Sequence, residues 1–236
     1  MQKLVVANWK SNKSVAESLI WCERLMANCP KIHPRIKVVV APAFPSLASV
    51  ADFFTHHPNL SLVLGIQDIS PLAAGSYTGA VSGQNLRGLG VKYALVGHIE
   101  RRRYFGETNQ DIAKKVEMAV DAGLIPIVCV EKENARAQAT AIRPDLRAQC
   151  IVSYDPSSAI STHAGGTRKP VGEVSEVIRM IKSEFGCDQV IYGGSVTEEN
   201  VAEYMLIADG VLVCGASLDP VQFARVVDKA WVETAN

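Results

Sequence analysis

Short runs of apolar residues alternate along the chain with longer segments in which apolar and polar residues are mixed. The short runs are rich in Val, Ile and Leu and do not alternate in polarity, which predicts strands buried on both faces of a parallel sheet. We predict eight such strands, which are Leu4–Val6, Lys37–Ala41, Leu60–Leu64, Tyr93–Val96, Ile125–Val130, Cys150–Tyr154, Gln189–Tyr192 and Val211–Val213.

In the mixed segments, apolar residues recur at the spacing of one helix face, which predicts amphipathic helices between the strands. Examples are Val15–Met26, Gln110–Ala122, Val171–Phe185, Glu198–Leu206 and Val221–Val232. Residues typical of helix starts precede or open several of them, namely Thr108, Pro170, Thr197 and Pro220.

This alternation of strands and helices predicts an α/β fold. Spread over eight units, the 236 residues give about 30 residues per strand and helix, close to the minimum for a βα repeat. Eight units with right-handed crossovers close into a (β/α)8 barrel. The alternative is an open doubly wound sheet, but no G-x-G-x-x-G motif follows the first strand. We therefore predict a single barrel domain over residues 1–236, because no linker divides the chain.

Composition excludes several classes of protein. The 24 Lys and Arg residues balance 24 Asp and Glu residues, which argues against a nucleic-acid partner. A hydrophobic content of 48% excludes a disordered chain. No apolar run approaches the about 20 residues of a membrane helix, and the first run is too short for a signal peptide. The six cysteines lack metal-ligand spacing, which indicates reduced thiols and a cytoplasmic protein.

Two long segments without helical spacing follow predicted strands. Gly65–Gln84, after the third strand, is rich in glycine, and loops of this length are usually functional or held by a partner. Asp155–Lys169, after the sixth strand, carries several Ser and Thr residues and is predicted to be a mobile lid.

Polar and glycine residues stand where several strands end, and catalytic groups of a barrel lie at the C-terminal ends of its strands. These residues are Asn8, Lys10, His98, Glu100, Asp155, Gly193-Gly194-Ser195 and Cys214-Gly215-Ala216-Ser217. A lysine, a histidine and a carboxylate at one mouth indicate proton transfer on an anionic substrate. Glycine turns with free backbone N–H groups suit a phosphate. Each residue alone also has an ordinary structural explanation, and their co-location favours a site.

A series of segments in a fixed order carries a family resemblance. They are Ala7-Asn8-Trp9-Lys10, Ala41-Pro42, Gly65-Ile66-Gln67, Tyr77-Thr78-Gly79, Gly97-His98-Ile99-Glu100-Arg101-Arg102, Tyr104-Phe105-Gly106-Glu107, Pro126-Ile127-Val128-Cys129, Tyr154-Asp155-Pro156, Ile191-Tyr192-Gly193-Gly194-Ser195-Val196 and Gly215-Ala216-Ser217-Leu218. From Val5 to about Leu218, the chain resembles the triosephosphate isomerase family.

The resemblance implies a TIM barrel that interconverts dihydroxyacetone phosphate and D-glyceraldehyde 3-phosphate through an enediolate, in glycolysis and gluconeogenesis. Asp155 would take the place of the family's glutamate base. His98 would act as a neutral imidazole on the carbonyl oxygens, Lys10 would supply positive charge, and Asn8 would orient the oxygen. Glu100 completes the expected catalytic set.

By the same resemblance, four residues would bind the substrate phosphate, namely Ser161, Ser195, Cys214 and Gly215. No metal or organic cofactor is implied, since proton transfer next to a carbonyl needs only an acid, a base and electrostatic support. The family is a homodimer in which the third loop, here Gly65–Gln84, inserts into the partner subunit. We therefore expect a homodimer, with no membrane partner.

Two departures from the family pattern concern the base. Asp155 is one methylene shorter than glutamate, and a misplacement near 1 Å can cost about 10²-fold in rate. Ile99 replaces a family serine near the base. An apolar neighbour removes a hydrogen-bond donor, so we expect it to raise the pKa of Asp155. Our hypothesis is that Ile99 fills the volume that the shorter side chain vacates.

Three further departures lie around the site. Ser157-Ser158 stands where the family has an aliphatic–tryptophan hinge, and Lys132 replaces the glutamate that meets this tryptophan. Cys214 occupies a glycine position, where a thiol at a helix N-terminus can have a lowered pKa or can be a silent packed residue. Ala80 replaces a glutamate expected to pair with Arg101 at the dimer contact, which weakens that contact.

These departures leave two other functions open. One is a barrel that binds a phosphorylated small molecule without efficient turnover, and the other is an isomerase of another small sugar phosphate. The residues that match the family together favour the triose isomerase.

Overall fold

The protein is a closed barrel of eight parallel strands that pair in chain order. A computed structural model describes residues 2–29, 31–58, 62–157 and 168–231. The strands are β1 (Lys3–Asn8), β2 (Ile36–Ala41), β3 (Leu62–Ile66), β4 (Val91–Val96), β5 (Ile125–Val130), β6 (Ile151–Tyr154), β7 (Val190–Tyr192) and β8 (Gly210–Val213). Pairing of β1 with β8 completes the cylinder, with Leu4 opposite Gly210 and Ala7 opposite Val213.

Helices surround the barrel and connect its strands. They are α1 (Val15–Asn28), α2 (Leu47–His56), α3 (Ile99–Phe105), α4 (Asn109–Asp121), α5 (Ala135–Ala141), α6 (Pro144–Arg147), α7 (Val171–Phe185), α8 (Val201–Ile207) and α9 (Pro220–Lys229). Short 3-10 turns lie at Phe44–Ser46, Gly83–Leu86 and Gly215–Ser217. In the part of the chain that the structure describes, no helix is long and apolar enough to cross a membrane.

Successive residues of each strand contribute to two different cores. One set fills the inside of the barrel and includes Leu4, Val6, Val39, Leu95, Ile127, Cys129, Ile151, Ile191 and Leu212. The alternate set, exemplified by Val5, Val38 and Val40, packs outward against the helices. Because both faces are buried, the strands read as continuous apolar runs rather than as an alternation of polar and apolar residues.

Local sequence signals determine where several helices begin. Ser14 and Glu17 form a reciprocal capping box at the start of α1, and Thr108 with Asp111 does the same for α4. Asp219 accepts hydrogen bonds from two backbone N–H groups at the start of α9. These side chains bind N–H groups that lack partners within the helix.

The predicted barrel is confirmed, and the closed pairing of β1 with β8 excludes the open doubly wound sheet. The boundaries differ by a few residues. The helix predicted to begin at Glu198 begins at Val201, because Thr197 and Asn200 bond to each other in a turn that precedes it. The predicted loop Gly65–Gln84 starts inside β3 and ends in the 3-10 turn at Gly83.

Trp21 connects α1 to the turn that follows β8. Its side chain is buried, and its indole nitrogen donates to the carbonyl oxygen of Ser217 at 3.0 Å. Its ring packs edge-on against the ring of Trp9, with 4.6 Å between the ring centroids. This aromatic pair anchors the Gly215–Ser217 turn at the C-terminal rim of the barrel.

We expect Trp21→Phe to lower the free energy of unfolding by about 2–4 kcal/mol, because it leaves a buried carbonyl unpaired and opens a cavity. Urea denaturation measures the change. Ile20→Val at the neighbouring exposed position is the control and should shift the value by no more than about 0.5 kcal/mol. Equal stabilities of the two variants would show that this contact is unimportant.

Candidate active site

The C-terminal ends of the parallel strands bring the predicted polar residues to one rim of the barrel. Asn8 is the last residue of β1, and His98 lies between β4 and α3. Asp155 directly follows β6, and Cys214 directly follows β8. The sequence prediction of which residues end the strands therefore agrees with the fold.

Lys10 and Glu100, which are far apart in the sequence, form an ion pair at this rim. The ammonium of Lys10 lies 2.7 Å from Oε1 of Glu100, and both side chains are largely buried. Burial alone would lower the pKa of Lys10, but the neighbouring Cys214, Glu100 and Asp155 together hold it above its ordinary value. Lys10 therefore stays fully charged at neutral pH.

The backbone that carries Lys10 is held in an unusual conformation. Its φ of 53° lies in the left-handed region, which costs energy for a residue with a side chain. The Lys10 N–H donates to Oδ1 of Asn8 at 3.0 Å, and the Gln67 amide donates to the Lys10 carbonyl at 2.8 Å. These bonds hold the strained residue so that its side chain projects towards Glu100.

His98 is a buried residue at the N-terminus of α3. Its Nδ1 accepts the backbone N–H of Glu100 at 3.3 Å, which assigns the ring proton to Nε2. Burial lowers the pKa of His98 to about 4 against the attraction of the Glu100 carboxylate, and Lys10 lowers it further. At neutral pH the imidazole is thus an uncharged hydrogen-bond donor through Nε2.

Asp155 is buried inside the rim. Its Oδ1 accepts the hydroxyl of Ser153, and its Oδ2 has no hydrogen-bond partner among the described residues. The carboxyl group packs against the backbone of Gly193, where a Cβ would lie 1.9 Å from Oδ1. A Cβ on the next glycine, Gly194, would meet the hydroxyl of Tyr192 at 2.1 Å. The glycine pair is therefore needed for packing, whatever else it binds.

The ionisation of Asp155 is strongly disfavoured. Burial raises its pKa to about 7, although the hydrogen bond from Ser153, the nearby Cys129 thiol and the charge of Lys10 act in the opposite direction. The rise has the direction that we expected from Ile99, but removal of the carboxyl from water is the main cause. Ile99 is buried and lines the same narrow interior gap as Asp155.

Of the two possibilities for Cys214, the lowered thiol pKa is wrong, and the pKa is raised as in an unreactive thiol. Burial raises the pKa of Cys214 to about 12, and this effect exceeds the attraction of nearby Lys10. A buried thiolate would lose more hydration than the start of a short 3-10 turn can replace. Cys214 is thus a protonated, partly exposed thiol near both Lys10 and Asp155.

Three of the four residues predicted to bind phosphate follow the neighbouring strands β7 and β8. Ser195, after β7, is half-buried, and the Asn200 amide donates to its carbonyl at 2.9 Å. Gly215, after β8, is exposed at the start of a 3-10 turn. Ser161 and Ser158 lie outside the described residues, as does most of the predicted lid. Lys132 is exposed.

Three residues to which the sequence analysis assigned no role support the site, and two of them, Cys129 and Gln67, belong to the segments that resemble the family. The Ser153 hydroxyl donates to the Asp155 carboxyl, the Cys129 thiol favours its ionised form, and Gln67 binds the backbone at Lys10. Ser153 and Cys129 face each other on β6 and β5. Ser153 stands two residues before Asp155, so the period of a strand places both on one face. The two-residue spacing from Ser153 to Asp155 is the sequence signal that could have identified Ser153 as a neighbour of the base.

The loop predicted to contact a partner is exposed from Leu72 to Ala80. Arg101, whose family partner is replaced by Ala80, instead pairs with carboxylates of its own chain. It lies 3.0 Å from Asp68 and also contacts Glu107. Within the described ranges, no group of three or more His, Cys, Asp or Glu residues is placed to hold a metal ion.

Comparison with known proteins gives a consistent result. The sequence model of the family described as triosephosphate isomerase matches residues 3–230. A triosephosphate isomerase of Mesomycoplasma hyopneumoniae (strain 7448) is 35% identical, with 96% of this chain and 99% of that protein aligned. One of Prochlorococcus marinus (strain MIT 9301) is also 35% identical, over 97% of this chain and 99% of that protein.

A third relative, from Polynucleobacter asymbioticus, carries the same name and is 32% identical over 94% of this chain and 97% of its own length. The family match thus spans the whole barrel, including every strand end that contributes to the rim. The chain belongs to the triosephosphate isomerase family and is an isomerase.

Proposed function

We propose that the protein interconverts dihydroxyacetone phosphate and D-glyceraldehyde 3-phosphate, with Asp155 as the base. The observation that carries the proposal is the combination of a neutral histidine with a pKa of about 4 and a buried aspartate with a pKa of about 7. The family is itself a standard example of a neutral histidine that polarises a carbonyl. A charged lysine lies beside both groups.

The proposed reaction is a proton transfer between two adjacent carbons. Ionised Asp155 removes a proton from the carbon next to the carbonyl. The electrons of that C–H bond form a carbon–carbon double bond, and the carbonyl π electrons move to oxygen. Nε2–H of His98 donates to this oxygen, and the ammonium of Lys10 stabilises its charge. Nε2 of His98 then passes its proton to this oxygen and takes up the hydroxyl proton of the deprotonated carbon. Return of the proton from Asp155 to the former carbonyl carbon leaves the new carbonyl on its neighbour and completes the isomerisation.

Each group has the ionisation state that its role requires. An imidazole with a pKa of about 4 donates a hydrogen bond at neutral pH without carrying charge. A carboxyl with a pKa of about 7 is a stronger base than an ordinary aspartate and is still ionised in a large fraction of molecules. General bases work best when their pKa lies near the operating pH. Glu100 holds the Lys10 ammonium at the rim.

The substrate phosphate is assigned to the backbone after β7 and β8, near Ser195, Cys214 and Gly215. Glycine turns at the ends of these two paired strands offer N–H groups to an anion. Ser161, outside the described residues, would add a further contact from the segment after β6.

We also propose a homodimer formed through Gly65–Gln84 and a cytoplasmic location. Exposed aromatic and aliphatic side chains support the dimer, since Leu72 and Tyr77 of this loop and Tyr104 and Phe105 of α3 are solvent-accessible in one chain. All six cysteines are free thiols, which agrees with a reducing compartment.

We expect Asp155→Asn to lower kcat/KM by about 10²–10⁴-fold, which is the usual contribution of a general base. A coupled assay of glyceraldehyde 3-phosphate isomerisation measures it. Asp121→Asn, at an exposed helix end, is the matched control and should leave turnover unchanged. Turnover that survives Asp155→Asn would reject Asp155 as the base. A wild-type protein that binds phosphorylated ligands without turnover would favour the binding barrel.

The pH profile of kcat/KM should show an acidic limb near 7. Because the pKa of Asp155 is raised to about 7, the base is protonated below that pH and the rate falls about tenfold per pH unit. His98, with a pKa of about 4, adds no limb between about pH 5 and 9. The substrate phosphate titrates near 6, so the profile of Asp155→Glu serves as the control. A limb in the ordinary aspartate range would contradict the proposal.

Tyr77→Lys should shift the protein from dimer to monomer, because it places a charge on a side chain that the proposed interface buries. Sedimentation velocity measures the change. Leu206→Lys, at an exposed position of α8, is the control and should sediment like the wild type. A wild-type monomer, or a dimer that Tyr77→Lys leaves intact, would place the interface elsewhere or remove it.

A further inference from the structure

Glu131 lies next to the proposed base although it belongs to another strand–helix unit. It directly follows β5, as Asp155 directly follows β6. The register of these strands pairs Val130 with Tyr154, so the next residues of both strands leave the sheet side by side. Glu131 and Asp155 also line the same narrow interior gap.

The chain from Asp155 to Ser157 is held by the end of β5 at each backbone N–H that it offers. The Asp155 N–H donates to the Val130 carbonyl at 2.8 Å. Pro156 has no N–H. The next donor, the Ser157 N–H, bonds to Oε1 of Glu131 at 3.2 Å. Glu131 is therefore the side-chain part of a two-point attachment for the tripeptide that carries the base.

Glu131 is itself fixed in position. Its N–H donates to Oδ1 of Asn134 at 3.0 Å, and its carbonyl accepts the N–H of Ala135 at 3.1 Å. Both bonds belong to the turn that starts α5. An immobilised backbone leaves only the side-chain torsions of Glu131 to be ordered when its carboxylate binds Ser157, which lowers the entropic cost of the bond.

We propose that Glu131 is a positioning residue for Asp155, which it holds through the backbone of Ser157 while it places a second negative charge beside the Asp155 carboxyl. This proposal rests on the proposed function, in which Asp155 is the base. It predicts two separable effects, one from the hydrogen bond and one from the charge.

The charge effect depends on every titratable group around Asp155. Glu131 raises the pKa of Asp155, whereas Lys10 and the Cys129 thiol lower it, and burial remains the largest cause of the shift. Cys214 also faces Asp155 and remains protonated, with a pKa of about 12. Directly after β7, the backbone of Gly193 packs against the Asp155 carboxyl. Arg102 lines the same gap as Glu131 and Asp155 and lies near enough to Glu131 for that carboxylate to act on its pKa.

Two variants separate the hydrogen bond from the charge. Glu131→Gln keeps an oxygen that can accept the Ser157 N–H but removes the charge. We expect it to move the acidic limb of kcat/KM to lower pH and to change kcat at high pH by less than about threefold. Glu131→Ala removes both effects. We expect the same movement of the limb and a fall in kcat of about 10- to 100-fold, with KM much less affected, because the base is no longer held in position.

Glu133→Gln and Glu133→Ala, at an exposed position two residues along, are the controls and should match the wild type in both readouts. The inference is overturned if the limb of Glu131→Gln coincides with that of the wild type and Glu131→Ala keeps full kcat. It is equally overturned if the Glu131 variants lose only thermal stability while their kinetics are unchanged. If Glu131→Ala does not fold, the position of the acidic limb in the kcat/KM profile of Glu131→Gln tests the proposal by itself.

Asp155→Asn in the same series distinguishes failure of this inference from failure of the proposed function. If Asp155→Asn abolishes turnover and the Glu131 variants behave like wild type, the role of Glu131 is wrong and the base assignment stands. If Asp155→Asn keeps full turnover, the base assignment fails first.

Discussion

Closure of the sheet between β1 and β8 is the constraint on which the candidate site depends. All strands run in the same direction, so closure collects their C-terminal ends into one ring. Lys10 follows β1 and Glu100 belongs to the helix after β4, yet their side chains meet at 2.7 Å. Cys214, after β8, then lies close enough to influence the ionisation of Lys10. An open sheet would leave the first and last strands at opposite edges.

Exclusion of water is the second determinant of the site. Burial disfavours the charged form of any titratable group, so it lowers the pKa of His98 and raises those of Asp155 and Cys214. Burial therefore places the pKa of Asp155, about 7, above the pKa of His98, about 4, which reverses the ordinary order of these two groups. At neutral pH the rim contains an uncharged imidazole, a protonated thiol, a partly protonated carboxyl and one strong ion pair, Lys10–Glu100. This combination suits the movement of a proton without a large change in the charge of the protein groups.

The supports of the site are distributed over several strand–helix connections. Gln67, after β3, binds the backbone at Lys10, and Arg102 of α3 donates to the Gly97 carbonyl at 3.0 Å. Next to it, Lys115 and Arg101 share the carboxylates of Asp68 and Glu107. Buried charges of this kind are tolerated only when they are paired. Arg101 is therefore paired within its own chain.

The sequence by itself determined the strands, the barrel and the strand ends at which polar residues stand. Apolar runs without alternation are sufficient for this, because strands covered on both faces are predominantly apolar. It also carried the resemblance to the family at Asn8, Lys10 and His98, with Asp155 as a departure from it. Local capping signals placed the start of α4 within one residue, since Thr108 and Asp111 act over a single turn.

Only the tertiary structure decided the ionisation of these groups and their supporting contacts. The pKa of Cys214 is set by burial among residues from other strands, so the local helix start gave the wrong direction. The bond of Glu131 to Ser157 joins two strand–helix units and has no signal in the spacing of either. Hydration and contacts between distant segments depend on how the whole chain encloses a group, and this information does not exist at the level of a single segment.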